Sequence, residues 1–551
     1  MNVKKGLIAA AALVGAGVFF QSARTSDRNF EISRNLDIFH SIFREVDMLY
    51  VDTIDVESVI TTGINAMLGK LDPYTVYYPE DKEKDLKMML TGKYAGIGAI
   101  IRKYPKMEYV VIEEPYENMP ASDSGVKAGD RILSIDGESM KDKESDYVSD
   151  HLRGEAGTHF KLTLGRPGVA DSICIDITRA NIALPAVPYY GMWKGVGYIL
   201  LDSFTDGCAH DVRLALIALK EQGAKSIILD LRDNGGGSLT EAIDIVNLFV
   251  PKGVTVVETK GKMRQASSSF ATRRDPVDAD IPLVVMTNGN SASASEIVSG
   301  ALQDLDRAVV VGARTFGKGL VQTTRSLPFN GTLKVTTSKY YIPSGRCIQE
   351  IDYSHRNDKG RAERVPDSLT HVFHTKAGRE VRDGGGIRPD VFCQADTMPE
   401  IMYYLSTDVV LFDFLNKYCR EHEAIPPVSE FSISDSLYEE FADFVRKSDF
   451  KFESQSSQAL KALRDIAKYE GLLAKSKAEF DSLESKLQYD LNNDLDQFRD
   501  DIKLLLGSSI ATRYYYQRGT IQYNMRNDAM LDTAMNVISD VRRYKSILKK
   551  K

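Results

Sequence analysis

Apolar and polar positions along this chain change period twice. Between residues 27 and 92, Ile32, Leu36, Phe39, Phe43 and Val46 recur at alternating steps of three and four, the spacing of an amphipathic helix. From about 181 to 395 short β-branched runs alternate with helical stretches. Strands are predicted over 198–201, 226–231, 255–259, 283–286 and 308–311. Strands and helices in alternation predict a largely parallel sheet with helices on its faces. From about 400 to 551 the pattern is helical and charge-rich, with few glycines or prolines. There Leu460, Leu463 and Ile466, then Leu504, Leu505 and Leu506, are placed to face a core or a partner.

The α/β region carries the candidate chemistry. The predicted strand at 283–286 runs through the turn Thr287-Asn288-Gly289-Asn290 into Ser291-Ala292-Ser293-Ala294-Ser295-Glu296. After it, Ile297, Val298, Ala301, Leu302 and Leu305 keep helical spacing, so a helix starts near Ser293. A hydroxyl at such a corner meets unpaired N–H groups and the positive end of the helix dipole, which favour a developing oxyanion. The plainer reading is a capping box, because Glu296 follows Ser293 by three.

Lys318 lies in Thr315-Phe316-Gly317-Lys318-Gly319-Leu320-Val321-Gln322. A free lysine, with a pKa of ~10.4, is protonated at neutral pH, and burial lowers that value until the amine can accept a proton. Its neighbours are apolar or lack a side chain. On a strand, Gln322 shares the face of Lys318 and can orient the amine. The plainer alternative is a solvated loop lysine. Gly312 to Lys318 also imitates the opening of a P-loop, but Gly319 stands where Ser or Thr would hold magnesium, and a strand is predicted where a helix should begin. A third segment, Asp233-Asn234-Gly235-Gly236-Gly237, follows the strand at 226–231, and its glycines allow backbone N–H groups to approach a substrate closely.

Taken together, these segments and Leu71-Asp72-Pro73-Tyr74 resemble the carboxyl-terminal processing peptidases, also called tail-specific proteases, from about Leu71 to Asp390. The resemblance implies Ser293 as nucleophile, Lys318 as general base, and Gln322 as the residue that orients the lysine. The Ser-to-Lys spacing of the family selects Ser293 over Ser291 and Ser295. The same resemblance implies an oxyanion hole from the N–H groups of Ala294 and of Gly235 or Gly236, and an α/β core of the kind shared with crotonases. Asp304 matches a family carboxylate and is read as structural. A second segment, beginning at Tyr94-Ala95-Gly96-Ile97-Gly98-Ala99 and continuing through Val126-Lys127-Ala128-Gly129-Asp130 to Leu152-Arg153-Gly154, looks like a PDZ domain. Gly96, Ile97 and Gly98 would then present N–H groups to the terminal carboxylate of a peptide laid along a strand edge. Between Gln349 and Arg382 a polar insertion interrupts the family pattern, and His371 and His374 within it are read as surface residues.

Composition narrows the remaining classes. The 551 residues are 43% hydrophobic and 27% charged, as in globular proteins, and a net charge of −7 argues against a nucleic-acid surface. Five scattered cysteines form neither a disulfide framework nor a CxxC metal site, no HExxH occurs, and neither metal nor cofactor is expected. Lys4-Lys5 followed by the apolar run from Gly6 to Phe20 suits a signal peptide and falls short of the ~20 residues of a comfortable membrane span. The poor cleavage site at Gln21-Ser22-Ala23 leaves an uncleaved anchor open. Either way the catalytic part is expected to be exported, which in a two-membrane bacterium means the periplasm.

The expected organisation is a signal peptide or anchor (1–25), N-terminal helices (26–92), a PDZ domain (93–180), a serine–lysine peptidase core (181–395) and a helical extension (396–551). The expected function is an endopeptidase that captures exposed C-terminal tails of polypeptides and cleaves upstream of them. Its rivals are a non-catalytic tail-binding scaffold on the same fold, and crotonase-like acyl-CoA chemistry. The terminal helices could cap the active site, form a homo-oligomer or hold an adaptor.

Overall fold

A computed structural model describes residues 28–357, 360–394, 398–487 and 490–549. The basic and apolar N-terminal segment therefore lies outside the described residues. The chain divides into two compact units, one reaching to Glu80 and including Thr324–Val335, the other formed by Asp81–Thr323 and Thr336–Lys551.

In the first unit a helix spans 28–49 and a second spans Val56–Gly69, capped by Asp55, whose carboxylate accepts the Ser58 N–H at 3.1 Å. The helical period read from Ile32 to Val46 is real, but the stripe is not a core: Leu36 is 62% exposed and Phe39 53%. The buried Asp72 carboxylate accepts the N–H groups of Tyr74 and Thr75 at 2.8 Å and turns the chain into strand Val76–Tyr78. That strand pairs antiparallel with residues 332–334.

The second unit is built around a six-stranded sheet. Its order is Tyr189–Trp193, Val196–Leu200, Ile227–Asp230, Leu283–Thr287, Val309–Gly312 and Val391–Phe392, parallel except for the first, antiparallel pair. Alternation along the strands explains its two cores. Leu283 and Val285 face one apolar cluster, with helices Cys208–Glu221, Leu239–Asn247 and Ala294–Asp304, while Val284 and Met286 face another. The strand expected at 255–259 forms as Thr255–Gly261 but lies outside this sheet, pairing antiparallel with Ser268–Ala271 and residues 338–341. Its burial alternates in part, whereas Ile227–Asp230 is buried throughout, as a strand covered on both faces must be. The insertion after Gln349 folds into two small antiparallel ribbons, Ile351–Arg356 with Ala362–Arg364 and Val372–His374 with Glu380–Arg382; both histidines are exposed.

A separate sheet, in the order Ala99–Arg102, Val111–Pro115, Arg131–Ile135, His159–Gly165 and Ile173–Thr178, with Glu138–Ser139 beside the third, encloses its own core of Ile112, Ile132, Leu162 and Val148 with helix Ser145–Leu152. Buried Asp130, in the Ala-Gly-Asp turn, is held by a two-pronged Arg166 contact at 2.7 and 2.8 Å.

The C-terminal helices do two things that the pattern left undecided. Helices from Glu400–Thr407 to Arg499–Asn524 share a core that includes Phe414, Phe441, Leu495 and Leu506, with Leu504 and Leu505 at its margin. Leu463 and Ile466, by contrast, are each 53% exposed. Helices Ala529–Ser539 and Val541–Ile547 then return to the six-stranded sheet and cover its second face with Met530, Leu531, Val537 and Ile538. Burying four side chains of this size, at roughly 1.5–3 kcal/mol each, is comparable with the whole net stability of a domain, ~5–15 kcal/mol. This part of the chain is a core layer, not a solvated appendage.

Candidate functional site

The serine corner is strained. Ser293 caps helix Ala294–Asp304 in a positive-φ conformation (φ 56°, ψ −110°), which costs a non-glycine residue on the order of 1–3 kcal/mol. On either side of it, the hydroxyls of Ser291 and Ser295 are buried and committed: they donate to the carbonyls of Leu231 and Asn234 at 2.7 and 2.8 Å. Both carbonyls belong to the approach to the glycine turn, so the two flanking serines fasten that turn to the corner, and Ser293 is the half-buried one between them.

The capping box is half of a larger arrangement. Glu296 is fully buried, and its Oε2 accepts the N–H groups of Ser293 and Lys318, both at 2.8 Å. The two amide nitrogens therefore lie no farther apart than twice that distance. Oε1 accepts the Thr315 hydroxyl at 2.6 Å and the Gly317 N–H at 2.7 Å. Burial pushes the Glu296 carboxyl up to about 7 against the opposing pull of these four donors. The Tyr340 hydroxyl lies within hydrogen-bonding reach of the Ser293 and Lys318 carbonyls at 3.1 and 2.6 Å, and the Phe316 N–H donates to the Ser291 carbonyl. On its other side the lysine loop is held by Gln349 Oε1, which accepts the Gly319 N–H, and by the Glu350 N–H on the Gly317 carbonyl. A Cβ at Gly317 or Gly319 would stand 2.5 Å from Glu350 Cβ or 2.8 Å from Gln349 N, so both glycines are required by close approach.

Lys318 itself is half-buried, while its neighbour Phe316 is 43% exposed. The loop stays irregular until strand Leu320–Ser326 begins, so the expected strand alternation does not extend back from Gln322 to Lys318. Gln322 donates through Nε2 to the Thr336 hydroxyl at 3.2 Å. No helix follows Lys318, which removes the P-loop reading.

The glycine turn lies against the serine. A Cβ on Gly236 (φ 97°) would sit 2.9 Å from both Ser293 Cβ and Ala294 N, and 2.7 Å from the Ala292 carbonyl oxygen. The Gly236 N–H is already given to Asn234 Oδ1 at 2.9 Å. Gly235 is exposed, and Ala294 opens its helix, where N–H groups have no acceptor within the helix. Asp304 is buried against Arg346 at 2.9 Å and accepts the Ser344 N–H, as a structural carboxylate does.

In the smaller sheet, Ala99–Arg102 is an edge strand, paired only with Val111–Pro115 among the described strands. Beside it a cavity of about 240 Å³ is lined by Tyr94, Ile97, Ala99, Ile101, Leu152 and Arg153, among others. Gly96 pairs with Ala180, and the carbonyls of Ile97 and Gly98 accept the Ala121 and Tyr116 N–H groups. The Tyr94 ring folds over Gly96, with Arg153 5.4 Å from its centre. Burial pushes the Tyr94 phenol up. Sequence reasoning named Gly96, Ile97 and Gly98 but missed Tyr94 and Ala99. It treated Glu296 only as a cap, and missed Gln349 and Tyr340, whose tertiary contacts leave no local signal.

A serine corner, a lysine loop tied to it and a glycine turn packed on it thus meet on a parallel sheet, with a second, smaller β module in the same chain. Residues 195–354 match peptidase family S41, residues 111–166 the PDZ domain, and residues 401–538 the C-terminal helical domain of the probable PDZ-proteases. A carboxy-terminal-processing protease of Bartonella bacilliformis is 37% identical over 350 residues, covering 63% of this chain and 79% of that protein. A probable CtpA-like serine protease of Staphylococcus aureus is 34% identical over 345 residues, covering 62% and 68%. Among solved structures, the photosystem II D1 C-terminal processing protease aligns with 25% identity over 66% of this chain and 93% of its own, with a TM-score of 0.36. The chain belongs to the carboxy-terminal-processing protease family and is a peptidase that carries a PDZ domain. Among the described residues no helix is long and apolar enough to cross a membrane.

Proposed function

We propose that this peptidase is a serine–lysine endopeptidase that takes hold of exposed C-terminal tails through its PDZ domain. Ser293 Oγ attacks the scissile carbonyl while the neutral Lys318 amine accepts its proton. The N–H groups of Ala294 and Gly235 hold the oxyanion, since Gly236 spends its own on Asn234. The Lys318 ammonium then protonates the leaving amine. Water, deprotonated by Lys318, releases the acyl group from Ser293. Gln322, its amide nitrogen held by Thr336, leaves its oxygen end to orient the lysine. A tail would add to the edge strand Ala99–Arg102 and place its carboxylate on the Gly98 and Ala99 N–H groups. Residues 93–180 would serve as the binding unit, 181–395 as the cutting unit and 396–551 as its helical support. The N-terminal segment would direct export to the periplasm, as a cleaved signal or an anchor.

The observation that carries this reading is the single Glu296 oxygen shared by the Ser293 and Lys318 N–H groups, which fixes nucleophile and base loops together. The test is hydrolysis of an unstructured polypeptide by Ser293→Ala, Ser291→Ala, Ser295→Ala and Lys318→Arg. Ser293→Ala and Lys318→Arg should fall by several orders of magnitude, because arginine stays protonated. The flanking variants lose a buried hydrogen bond that fastens the turn, roughly 1–3 kcal/mol of stability, and should keep far more activity than Ser293→Ala. Equal loss in all three serine variants would defeat the assignment.

A further inference from the structure

The approach to the glycine turn is anchored from the far end of the chain. Arg232, directly before Asp233-Asn234-Gly235-Gly236, donates through Nη1 and Nη2 to the two oxygens of Asp528 at 3.0 and 2.6 Å. The same guanidinium meets Asp230 through Nε at 3.0 Å and Nη2 at 2.6 Å, and Asp230 accepts the Tyr198 hydroxyl at 2.7 Å. Asp528 in turn accepts the Leu531 N–H at 2.9 Å and so caps helix Ala529–Ser539, whose apolar face lies on the back of the peptidase sheet. The Asp528 and Arg232 side chains are only 17% and 20% exposed, so this fork is screened far less than a surface ion pair. Beyond Arg232, Asp233 accepts the side-chain amides of Asn288 and Asn290, and the Asn234 carbonyl accepts the Ala292 N–H and the Ser295 hydroxyl.

We infer that Asp528 is a positioning residue for the oxyanion-holding turn: the C-terminal helices set the geometry of Gly235 through the Asp528–Arg232 fork. An oxyanion donor acts only if it is held where charge develops, and a displacement of about 1 Å can cost on the order of 10²-fold in rate. The turn has the serine corner on one side and Arg232 at its entry. With Asp528 neutralised, Asp230 is the one carboxylate left on Arg232, and the turn keeps its bonds to the serine corner and to Leu201 and Phe204 but loses the charged fork at its entry. Substrate binding does not pass through this contact, so the effect falls on the chemical step. This rests on the reading of Ser293 and the Gly235 turn given above.

The test uses the full chain with Asp528→Asn, which keeps a helix-capping side chain and removes the charge. Activity on a short chromogenic peptide is normalised to the burst amplitude with a p-nitrophenyl ester, which counts competent sites. We expect kcat per competent site to fall about tenfold with KM within twofold, and a peptide aldehyde, whose adduct carries the oxyanion, to weaken by the same factor as kcat/KM. Asp528→Glu should recover part of the loss. Arg232→Lys, which loses the fork, should act in the same direction and serves if Asp528→Asn does not fold. An unchanged kcat per site, or a loss confined to the burst amplitude, overturns the inference. Full activity of Ser293→Ala would instead overturn the catalytic reading beneath it.

Discussion

Replacing Gly236 with alanine is a direct probe of how closely the turn approaches Ser293. The added methyl would stand 2.7 Å from the Ala292 carbonyl oxygen and 2.9 Å from Ala294 N and Ser293 Cβ. Two of these three neighbours are backbone atoms, which cannot swing away, and the third is the Cβ of Ser293. The residue also holds φ 97°, outside the range alanine adopts freely. Left-handed strain of roughly 1–2 kcal/mol and overpacking of roughly 1–3 kcal/mol together predict a loss of about 2–5 kcal/mol in urea unfolding. The methyl also pushes on the Ala294 N–H, so kcat should fall at least as far as when one oxyanion donor is removed, about 10²-fold or more. Gly235 is the internal control: a Cβ there meets nothing within 4 Å, and its φ is not in the left-handed range, so Gly235→Ala should unfold at nearly the wild-type urea concentration. If Gly236→Ala were as stable and active as wild type, the turn would not pack on Ser293 as described.

Other outcomes follow from the same geometry. Ser293→Gly should be about as inactive as Ser293→Ala yet more stable by about 1 kcal/mol, because glycine relieves the positive φ; equal midpoints in urea would argue against strain at the corner. Burial raises the Glu296 carboxyl from its ordinary value to about 7, so the folded state binds its proton more tightly than the unfolded chain does. Its contribution is therefore full below about pH 4.5 and is lost as pH rises through about 7, on the order of 3 kcal/mol, and Glu296→Gln should remove that slope from stability measured between pH 5 and 8. A free C-terminal peptide should bind more tightly than its amidated twin by roughly 1–3 kcal/mol, because amidation removes the charge that backbone N–H groups would hold; equal affinities in calorimetry would refute carboxylate capture.

Much of this protein was legible in residue order because its signals are local. The strand-turn-helix run through Ser293, the glycines before it and the loop carrying Lys318 each announce themselves by composition and spacing within a few residues. The period of the apolar positions gave four central strands of the sheet nearly to their ends, because a strand buried on both faces must be apolar throughout. What it could not assign was partnership. Strand Thr255–Gly261 has strand-like residues wherever it pairs, and only the packing removed it from the parallel sheet. Ile32 and Leu36 keep a helical stripe that finds no core among the described residues, whereas Met530 and Leu531, with no motif around them, close the back of the peptidase sheet. Glu296 shows the division most clearly. Three positions after Ser293 it reads as an ordinary cap, and sequence alone stops there. Only when the chain returns with Thr315, Gly317 and Lys318 does that carboxylate gain a second set of donors and become the point where the serine corner and the lysine loop are tied. Local chemistry is written in neighbouring residues; the distance between two loops is set by everything folded between them.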